Sequence, residues 1–502
     1  MGGVLCNSKK LREFVKPTLI VFGVYCVAML SIWRAGFSYS DDLRRAVQGF
    51  GWVHEYNRYS SEGFAKLLNA NDILLDISPY SQMFAMLLVA IASVIVTYVF
   101  CDRTIKYIPL IMSAFIGLFP QTIACWSYKF DAPVMAMSVL VCIVPFLFWN
   151  SLSHNNKTQY IKAFAVSFVC LMIMWTSYQP SNGIFLVMAL GLVFNDYLKQ
   201  RNLLQALKKQ AVYFSAFLTS GLAFIFLLPA YKGWRKTSVF SPHELIKGVY
   251  QNLKRLLSAF LSSLNIEWKV LLVLFFIAFL ASLLVFSKRK GIMRVFDMLL
   301  GVAFAVVSLF WCVGVQLFMT EFGTFARYLL GAGVVLAIIG ITTVREIRMD
   351  WKAVFAVPST VLLYSFLVFA LALGNGFADQ ERYGNFRTEL LLNDLSRIYT
   401  TKEQVDKTTL HLEGTISYSA VMKHVYEQYP VIDHIFLRSH TGLNSSDSKG
   451  YFKLVHYNNR SQKYITKPKL GTFDCDSMKT LLDSYYHTIK SNDKGEVCVI
   501  LK

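Results

Sequence analysis

Charged residues are scarce in this sequence, and several common chemical signatures are missing from it. Only 16% of the 502 residues are charged, whereas a soluble chain carries roughly a quarter. No CxxC pair is present, no cysteine–histidine cluster has the spacing of zinc ligands, and no glycine-rich loop has the pattern that cradles phosphates. A soluble globular protein, a zinc motif and a phosphate loop are therefore excluded.

The sequence is instead rich in long apolar runs. Hydrophobic residues make up 55% of the chain, and the mean hydropathy is +0.44. About eleven runs approach the roughly 20 residues that a helix needs to cross a bilayer. Several runs are short or contain proline, which leaves one re-entrant pair as an alternative. The runs are Pro17–Trp33, Gln82–Cys101, Tyr107–Cys125, Ala132–Trp149, Ile161–Trp175, Gly183–Tyr197, Ala211–Ala230, Val270–Phe286, Val295–Val315, Tyr328–Thr343 and Ala353–Leu373.

The net charge of +19 comes largely from short basic loops that lie between alternate apolar runs. Such loops are typical of the cytoplasmic side of a membrane protein, so we expect no nucleic-acid partner. The same rule predicts a cytoplasmic N-terminus and an exported C-terminal tail. The first run ends in Trp33-Arg34 without a small-residue cleavage site, and we expect it to be retained as a span.

The chain divides by composition into a polytopic α-helical membrane domain, residues 1–373, and a polar tail, residues 374–502. At about 130 residues the tail is long enough to bury a core of its own. Its patterns indicate a small α/β unit. The predicted elements are helix Gln380–Tyr399, strands Thr409–Leu412 and Tyr451–Tyr457, helix Met478–Ile489 and strand Val497–Leu501.

The first loop, residues 34–81, joins the first two apolar runs and is rich in ionisable residues. Asp41 and Asp42 suit a base that abstracts a proton, and Arg45 and Arg58 suit the binding of a phosphate. The alternative is a capped helix in which one of the aspartates pairs with Arg45. Ionisable residues beside a membrane favour the functional interpretation.

Later turns add polar residues on the same predicted side. Gln82 begins the second apolar run, Lys129 and Asp131 lie in one turn, and Tyr178 and Gln179 lie in the next exported turn. We interpret these five residues as candidates for substrate binding. The alternatives are a plain ion pair between Lys129 and Asp131 and a helix break at the proline that follows Gln179.

These motifs, in this order and spacing, resemble the serotype-converting O-antigen glucosyltransferases of enteric bacteria and their phages. The family usually has Gly-Arg-Pro-Leu around its loop arginine, where this chain has Asn57-Arg58-Tyr59-Ser60. The motifs are Tyr39-Ser-Asp-Asp-Leu-Arg-Arg45, Gly49-Phe-Gly-Trp52, Asn57-Arg58, Asp76-Ile-Ser-Pro-Tyr-Ser-Gln82, Tyr128-Lys-Phe-Asp131 and Ser177-Tyr-Gln-Pro180.

The resemblance implies a GT-C fold in the bacterial inner membrane. It implies transfer of glucose from undecaprenyl-phosphate-glucose to O-antigen repeat sugars at the periplasmic face, with inversion at the anomeric carbon. It also implies two functional partners, a small flippase and a carrier-lipid glucosyl synthase. Adjacent aspartates also suit a divalent metal, so metal dependence is left open. The competing class is a transporter or flippase of lipid-linked sugars, although we find no internal repeat typical of one.

The tail contains two cysteines, Cys475 and Cys498. Because the periplasm is oxidising, we predict a disulfide between them, with two buried free thiols as the alternative. The run Asp474-Cys475-Asp476 spells a metal-binding motif of nucleotide-sugar enzymes. No nucleotide sugar is expected in the periplasm, so we interpret this run as a turn.

Overall fold

The computed structural model describes residues 8–51, 53–152, 156–199, 201–228, 238–287, 289–323, 326–347, 351–401, 403–404, 408–436, 443, 453–454 and 474–502. Trp52 of the resemblance motifs lies outside these ranges. Most of the predicted strand Tyr451–Tyr457 lies outside them as well, and the two residues of it that are described, Lys453 and Leu454, are helical.

Seventeen α-helices precede the C-terminal sheet in the described part of the chain. Short 3-10 turns connect some of them, at Val144–Ser151, Gln179–Ser181, Gly314–Phe318, Ala326–Tyr328 and Trp351–Ala356. The helices are α1 (Ser8–Ala35), α2 (Asp42–Gln48), α3 (Val53–Tyr56), α4 (Tyr59–Asn69), α5 (Tyr80–Phe100), α6 (Tyr107–Met112), α7 (Phe115–Leu118), α8 (Pro120–Ser127), α9 (Ala132–Ile143), α10 (Lys157–Trp175), α11 (Asn182–Leu198), α12 (Leu203–Leu227), α13 (Leu245–Ser262), α14 (Ile266–Phe286), α15 (Ile292–Trp311), α16 (Leu330–Val344) and α17 (Val357–Ile398).

Nine of the described helices are long and apolar enough to cross a membrane, or ten if a bent pair counts as one span. The chain is therefore a multi-pass membrane protein, and the predicted number of about eleven spans stays a prediction. The run Tyr107–Cys125 splits into the pair Tyr107–Leu118 and Pro120–Ser127, bent by 64°, because the proline lacks the N–H that would continue the first helix. Helix α16 has 15 residues and reaches about 22 Å, short of the ~30 Å of hydrocarbon.

The first and last spans, α1 and α17, lie side by side. Ser31 donates a hydrogen bond to the carbonyl oxygen of Ala370, and the Arg34 guanidinium contacts Asn375 Oδ1 at 2.5 Å. The contact is so close that a Cβ on Gly374 would come within 2.3 Å of Ser31 Oγ. This pairing brings the first loop, which follows α1, next to the tail, which follows α17.

Helix α17 runs without a break from the membrane part into the tail, since it continues to Ile398. Two further helices, α18 (Ala420–Gln428) and α19 (Ile432–Ile435), follow in the tail. Their buried residues belong to the same hydrophobic core as the spans. Phe436 packs its ring 5.5 Å from that of Phe37 in the first loop. The tail is thus packed onto the membrane part at the side where the first loop lies.

The end of the tail forms a four-stranded sheet in the order β1-β4-β3-β2. Strand β1 pairs with β4 in parallel, and the other neighbouring pairs are antiparallel. The predicted strands at 409–412 and 497–501 are confirmed, as is the helix predicted at 380–399. The strands are β1 (Thr409–Glu413), β2 (Lys479–Asp483), β3 (His487–Ser491) and β4 (Glu496–Leu501).

The predicted helix Met478–Ile489 is wrong, because this segment forms the hairpin of β2 and β3. A short apolar run does not by itself distinguish a helix from a strand. Pairing with a neighbouring strand favours the strand here, because Ile489 lies opposite Val499 in β4. The structure joins Cys475, which precedes β2, to Cys498 in β4, with their Cα atoms 5.9 Å apart.

Candidate functional site

Asp42, one of the two predicted bases, is a buried anchor of the first loop. Its side chain lies at the start of α2 and is 1% exposed. Oδ2 accepts hydrogen bonds from the backbone N–H groups of Tyr39 and Lys129, each at 3.0 Å, and Oδ1 accepts one from Phe130 at 3.4 Å. Burial, and then the charge of Asp41, raises the pKa of Asp42 well above its ordinary value. Both oxygens are therefore engaged in holding the 127–131 turn against α2.

The same turn is held from its other side by the start of α5. The Gln82 amide donates to the Ser127 carbonyl oxygen at 3.0 Å, and the Ser81 hydroxyl donates to that of Lys129 at 2.6 Å. Gln82 is buried at 4% exposure. Its amide nitrogen thus holds the backbone of the turn, and a substrate contact of Gln82 stays a prediction.

Arg45 and Asp131 form a buried ion pair between α2 and the first residue before α9. Their side chains are 3% and 9% exposed. Arg45 Nε also donates to the Phe50 carbonyl oxygen at 3.2 Å. This pair joins segments 86 residues apart and was not among the pairings considered for the sequence.

Lys129 pairs with Asp76, at the end of the first loop. Its Nζ lies 3.3 Å from Asp76 Oδ2 and 3.5 Å from the Ser38 hydroxyl oxygen. Burial raises the pKa of Asp76, but hydrogen bonds from Ser78 and the charge of Lys129 outweigh it, so that the pKa falls below its ordinary value. The Lys129 cation is therefore already balanced by a carboxylate.

Asp41 occupies the N-cap position of α2 and is partly buried. Burial raises the pKa values of both Tyr128 and Asp42, and the charge of Asp41 raises them further. The Tyr128 hydroxyl in turn accepts a hydrogen bond of 3.0 Å from Arg327. The negative charge of Asp41 and the positive charge of Arg327 therefore both act on Tyr128.

Arg58 is placed by the docking of α4 onto the turn after α10. The Ser60 N–H donates to the Thr176 carbonyl oxygen at 3.0 Å, and the hydroxyl oxygens of Ser60 and Thr176 lie 2.7 Å apart. The Arg58 guanidinium carbon then lies 4.6 Å from the ring centroid of Tyr56 and 5.4 Å from that of Tyr178. Its Nε is fully buried and has no hydrogen-bond partner among the described residues, nor does any described carboxylate pair with it.

Tyr178 and Gln179 complete this corner of the site. Tyr178 is 2% exposed, and within the described part of the chain its buried hydroxyl has no hydrogen-bond partner. Burial raises its pKa well above the ordinary value, and the positive charges of Arg327 and Arg58 oppose that rise. The Gln179 amide donates to the Tyr56 carbonyl oxygen at 3.2 Å, so Gln179 supports the loop that carries Arg58.

Arg327 is a site residue that the sequence interpretation missed. It lies in the turn Ala326–Tyr328, directly before α16. Its guanidinium binds the Tyr128 hydroxyl and interacts with Tyr178. One signal in the sequence points to it, because an arginine at the membrane boundary of a loop predicted to be exported runs against the usual cytoplasmic preference for basic residues. Tyr178 thus lies within the electrostatic reach of two arginines, Arg58 and Arg327.

Comparison with known families gives one match. The family model described as glucosyl transferase GtrII matches residues 30–370, about two thirds of the chain. The chain belongs to the GtrII glucosyl transferase family. The resemblance to serotype-converting glucosyltransferases is thereby confirmed. No curated protein and no solved structure matches the chain.

The GtrII match includes every candidate residue of the membrane part, from Asp41 to Arg327, and ends before the sheet of the tail. Among the described residues, one group has side chains close enough together to hold a metal ion, namely Glu413, Cys475 and Cys498. The two cysteines of that group are joined as a disulfide, so they do not bind a metal as thiolates. In the run 474–476, the Asp474 side chain accepts a hydrogen bond from the Asp476 N–H at 3.0 Å, in agreement with the predicted turn.

Proposed function

We propose that this GtrII glucosyl transferase moves glucose from undecaprenyl-phosphate-glucose to a hydroxyl of O-antigen repeat sugars at the periplasmic face of the inner membrane. The observation that carries the proposal is the half-buried Arg58 side chain, which lies against the rings of Tyr56 and Tyr178 and whose buried Nε has no hydrogen-bond partner in the described part of the chain. A guanidinium held in this way suits an anionic ligand that enters from outside, and phosphate fits its planar fork.

Two arginines divide the phosphate-binding role in this proposal. Arg58 lies against the ring of Tyr178 from the first loop, and the charge of Arg327 acts on Tyr178 from the turn before α16. The buried Arg58 Nε lacks a hydrogen-bond acceptor among the described residues, and an incoming phosphodiester would supply one. Lys129, already balanced by Asp76, contributes less. Arg45 is used by Asp131 and, with Asp131, we assign it to the scaffold.

Asp41 is the carboxylate that we assign as the base. It takes the proton of the acceptor hydroxyl while the oxygen forms a bond to the anomeric carbon of glucose. The bond from that carbon to the phosphate oxygen breaks, and the carrier phosphate leaves with an added negative charge. Because the leaving group is a phosphate, no acid partner is required, and the two arginines receive the charge.

The attack and the departure take place on opposite faces of the sugar, so the configuration inverts. A β-linked lipid donor then gives an α-glucoside. Asp42 does not take part in the proton transfer in this proposal. It holds the 127–131 turn through three backbone N–H groups, and this turn carries Tyr128 beside Asp41.

The tail fits an acceptor-binding role. The Tyr39 hydroxyl, two residues before Asp41, donates to the Ile435 carbonyl oxygen at the end of α19. This contact brings residues of the tail beside the proposed base. We infer that the tail is periplasmic and contributes to the choice of acceptor. A small flippase and a carrier-lipid glucosyl synthase supply the donor on this side.

Sugar transfer in sealed vesicles without an ion gradient tests the proposal against the transporter alternative. Labelled glucose from the lipid donor is expected in the acceptor polymer, and Arg58→Ala should lower that incorporation. Label that crosses the membrane but never reaches the acceptor would support transport instead. Membership in a glucosyltransferase family favours the first outcome.

A further inference from the structure

Helix α13 is tied to the protein along one face. This face has Gly248, Asn252 and Leu256, which are four residues apart and buried. The Asn252 amide donates to the carbonyl oxygens of Leu317 at 3.0 Å and Met319 at 2.9 Å. Because a spacing of four residues returns to nearly the same side of a helix, the rest of the α13 surface points away from this attachment.

A second face of α13 is apolar and exposed. Ile246 is 84% exposed, Tyr250 67%, Leu257 42% and Leu261 47%. At 3.6 residues per turn these four side chains fall within about 60° of one another around the helix axis. A continuous apolar stripe of this kind is unusual on a water-facing surface and indicates contact with lipid or a partner.

A third face of α13 is basic. Lys247, Lys254 and Arg255 are exposed, and the sequence of the helix contains no acidic residue. Lys247 and Lys254 are two turns apart and lie about 60° around the helix from the centre of the apolar stripe. A long lysine side chain at that angle can reach the level of phospholipid phosphates while its stem follows the apolar surface.

The position of α13 in the chain indicates where the helix lies relative to the membrane. It connects α12 to α14, which are both long enough to cross the membrane, whereas α13 does not qualify as a span. It therefore lies at the membrane surface where α12 ends and α14 begins. The Gln121 amide donates to the Ser263 hydroxyl at 2.8 Å directly after its last turn, which fixes that end of α13 to α8.

We propose that α13 lies in the plane of the membrane interface and binds anionic phospholipids. The apolar stripe enters the boundary between headgroups and acyl chains, and the basic face binds phosphate. An amphipathic helix with this arrangement has the composition of interfacial helices, and the positive charge is complementary to an anionic surface. The binding surface is defined as Ile246, Lys247, Tyr250, Lys254, Arg255, Leu257 and Leu261.

This surface is connected to the loop of Arg327. Asn252 holds the carbonyl groups of Leu317 and Met319, which lie 8 to 10 residues before Arg327 in the chain. Lipid bound at α13 therefore stabilises a helix on which this loop rests. The lipid proposal does not depend on the assigned chemistry, because the interaction is measurable without any transfer reaction.

Photocrosslinking in nanodiscs tests the proposal on the full chain. Matched phosphatidylglycerol and phosphatidylcholine probes carry a diazirine in the headgroup, and mass spectrometry locates labelled peptides. We expect the peptide that contains 245–262 to receive about fivefold more label from phosphatidylglycerol, the factor that corresponds to ~1 kcal/mol for one surface cation. Equal labelling by the two probes, or labelling by neither, would overturn the proposal.

Variants test whether the labelling depends on the basic face of α13 or on positive surface charge in general. Lys247→Gln, Lys254→Gln and Arg255→Gln together should reduce phosphatidylglycerol labelling to the phosphatidylcholine level. The matched control replaces three exposed lysines of the tail, Lys423, Lys479 and Lys494, by glutamine and should leave labelling unchanged. If stoichiometric undecaprenyl phosphate removes the label from the wild-type protein, the surface binds the carrier and not bulk lipid, and the proposal fails. The wild-type comparison decides the question even if the triple variant does not fold.

Discussion

Arg58 lies against Tyr178, with its guanidinium carbon 5.4 Å from the ring centroid. Arg58 Nε and the Tyr178 hydroxyl are both buried and lack hydrogen-bond partners in the described part of the structure. Two buried donors without partners are costly in a protein interior. This cost is explained if the site is completed by a ligand that accepts hydrogen bonds, such as the phosphate of a lipid donor.

The first prediction concerns Arg58. Arg58→Ala should lower kcat/KM for the lipid donor by about 10- to 100-fold, the range for one hydrogen bond to a charged group. Arg58→Lys keeps the charge but loses the fork, and should raise the donor KM more than the acceptor KM. Arg44→Ala is the control, because the Arg44 side chain bonds Gln48 on the surface of α2. An unchanged donor dependence in Arg58→Ala would exclude the role.

The second prediction separates the two aspartates of the first loop. Asp41→Asn should reduce kcat by at least about 100-fold, because the base is lost, while thermal stability changes little. Asp42→Asn places an NH2 group among three N–H donors and should lower the free energy of unfolding by about 1–3 kcal/mol. Activity and melting temperature are measured for both variants. Full turnover in Asp41→Asn would refute its assignment as the base.

The third prediction concerns the side of the membrane on which the tail lies. Because Tyr39 contacts Ile435, the first loop and the tail must lie on the same side. A reporter that is active only in the periplasm, fused after Lys502, should be active, and an impermeant reagent should label a cysteine introduced into the first loop. A reporter active only in the cytoplasm would contradict the proposed topology and the acceptor role.

The fourth prediction concerns the disulfide of the tail. Replacing Cys475 and Cys498 by serine removes the constraint on a loop with a sequence separation of 23 residues and should destabilise the tail by roughly 3 kcal/mol. Digestion without reduction, followed by mass spectrometry, should find a peptide in which Cys475 and Cys498 are linked, in protein purified from cells. Recovery of both cysteines in alkylated form would show that they stay free thiols in the cell.

Much of the membrane part was predictable, because apolar runs report directly on spans. The helix predicted at 478–489 was wrong because local composition does not decide between helix and strand at the hairpin 479–491. The adjacent aspartates single out the first loop in the sequence, and its catalytic role stays a prediction. The different environments of Asp41 and Asp42 were not, because Asp42 is held by backbone groups 87 and 88 residues further along the chain. Arg327 was missed because its partners Tyr128 and Tyr178 are close only after folding.

The most direct test of the central claim uses the purified protein, synthetic β-linked undecaprenyl-phosphate-glucose and an O-antigen acceptor in proteoliposomes. The product is analysed by NMR for the configuration at the new glucosidic bond. The proposed chemistry predicts an α-glucoside, formed together with one undecaprenyl phosphate for each glucose transferred, and a strong loss of product in Asp41→Asn. A β-glucoside, or no product from this donor with folded wild-type protein, would contradict the account.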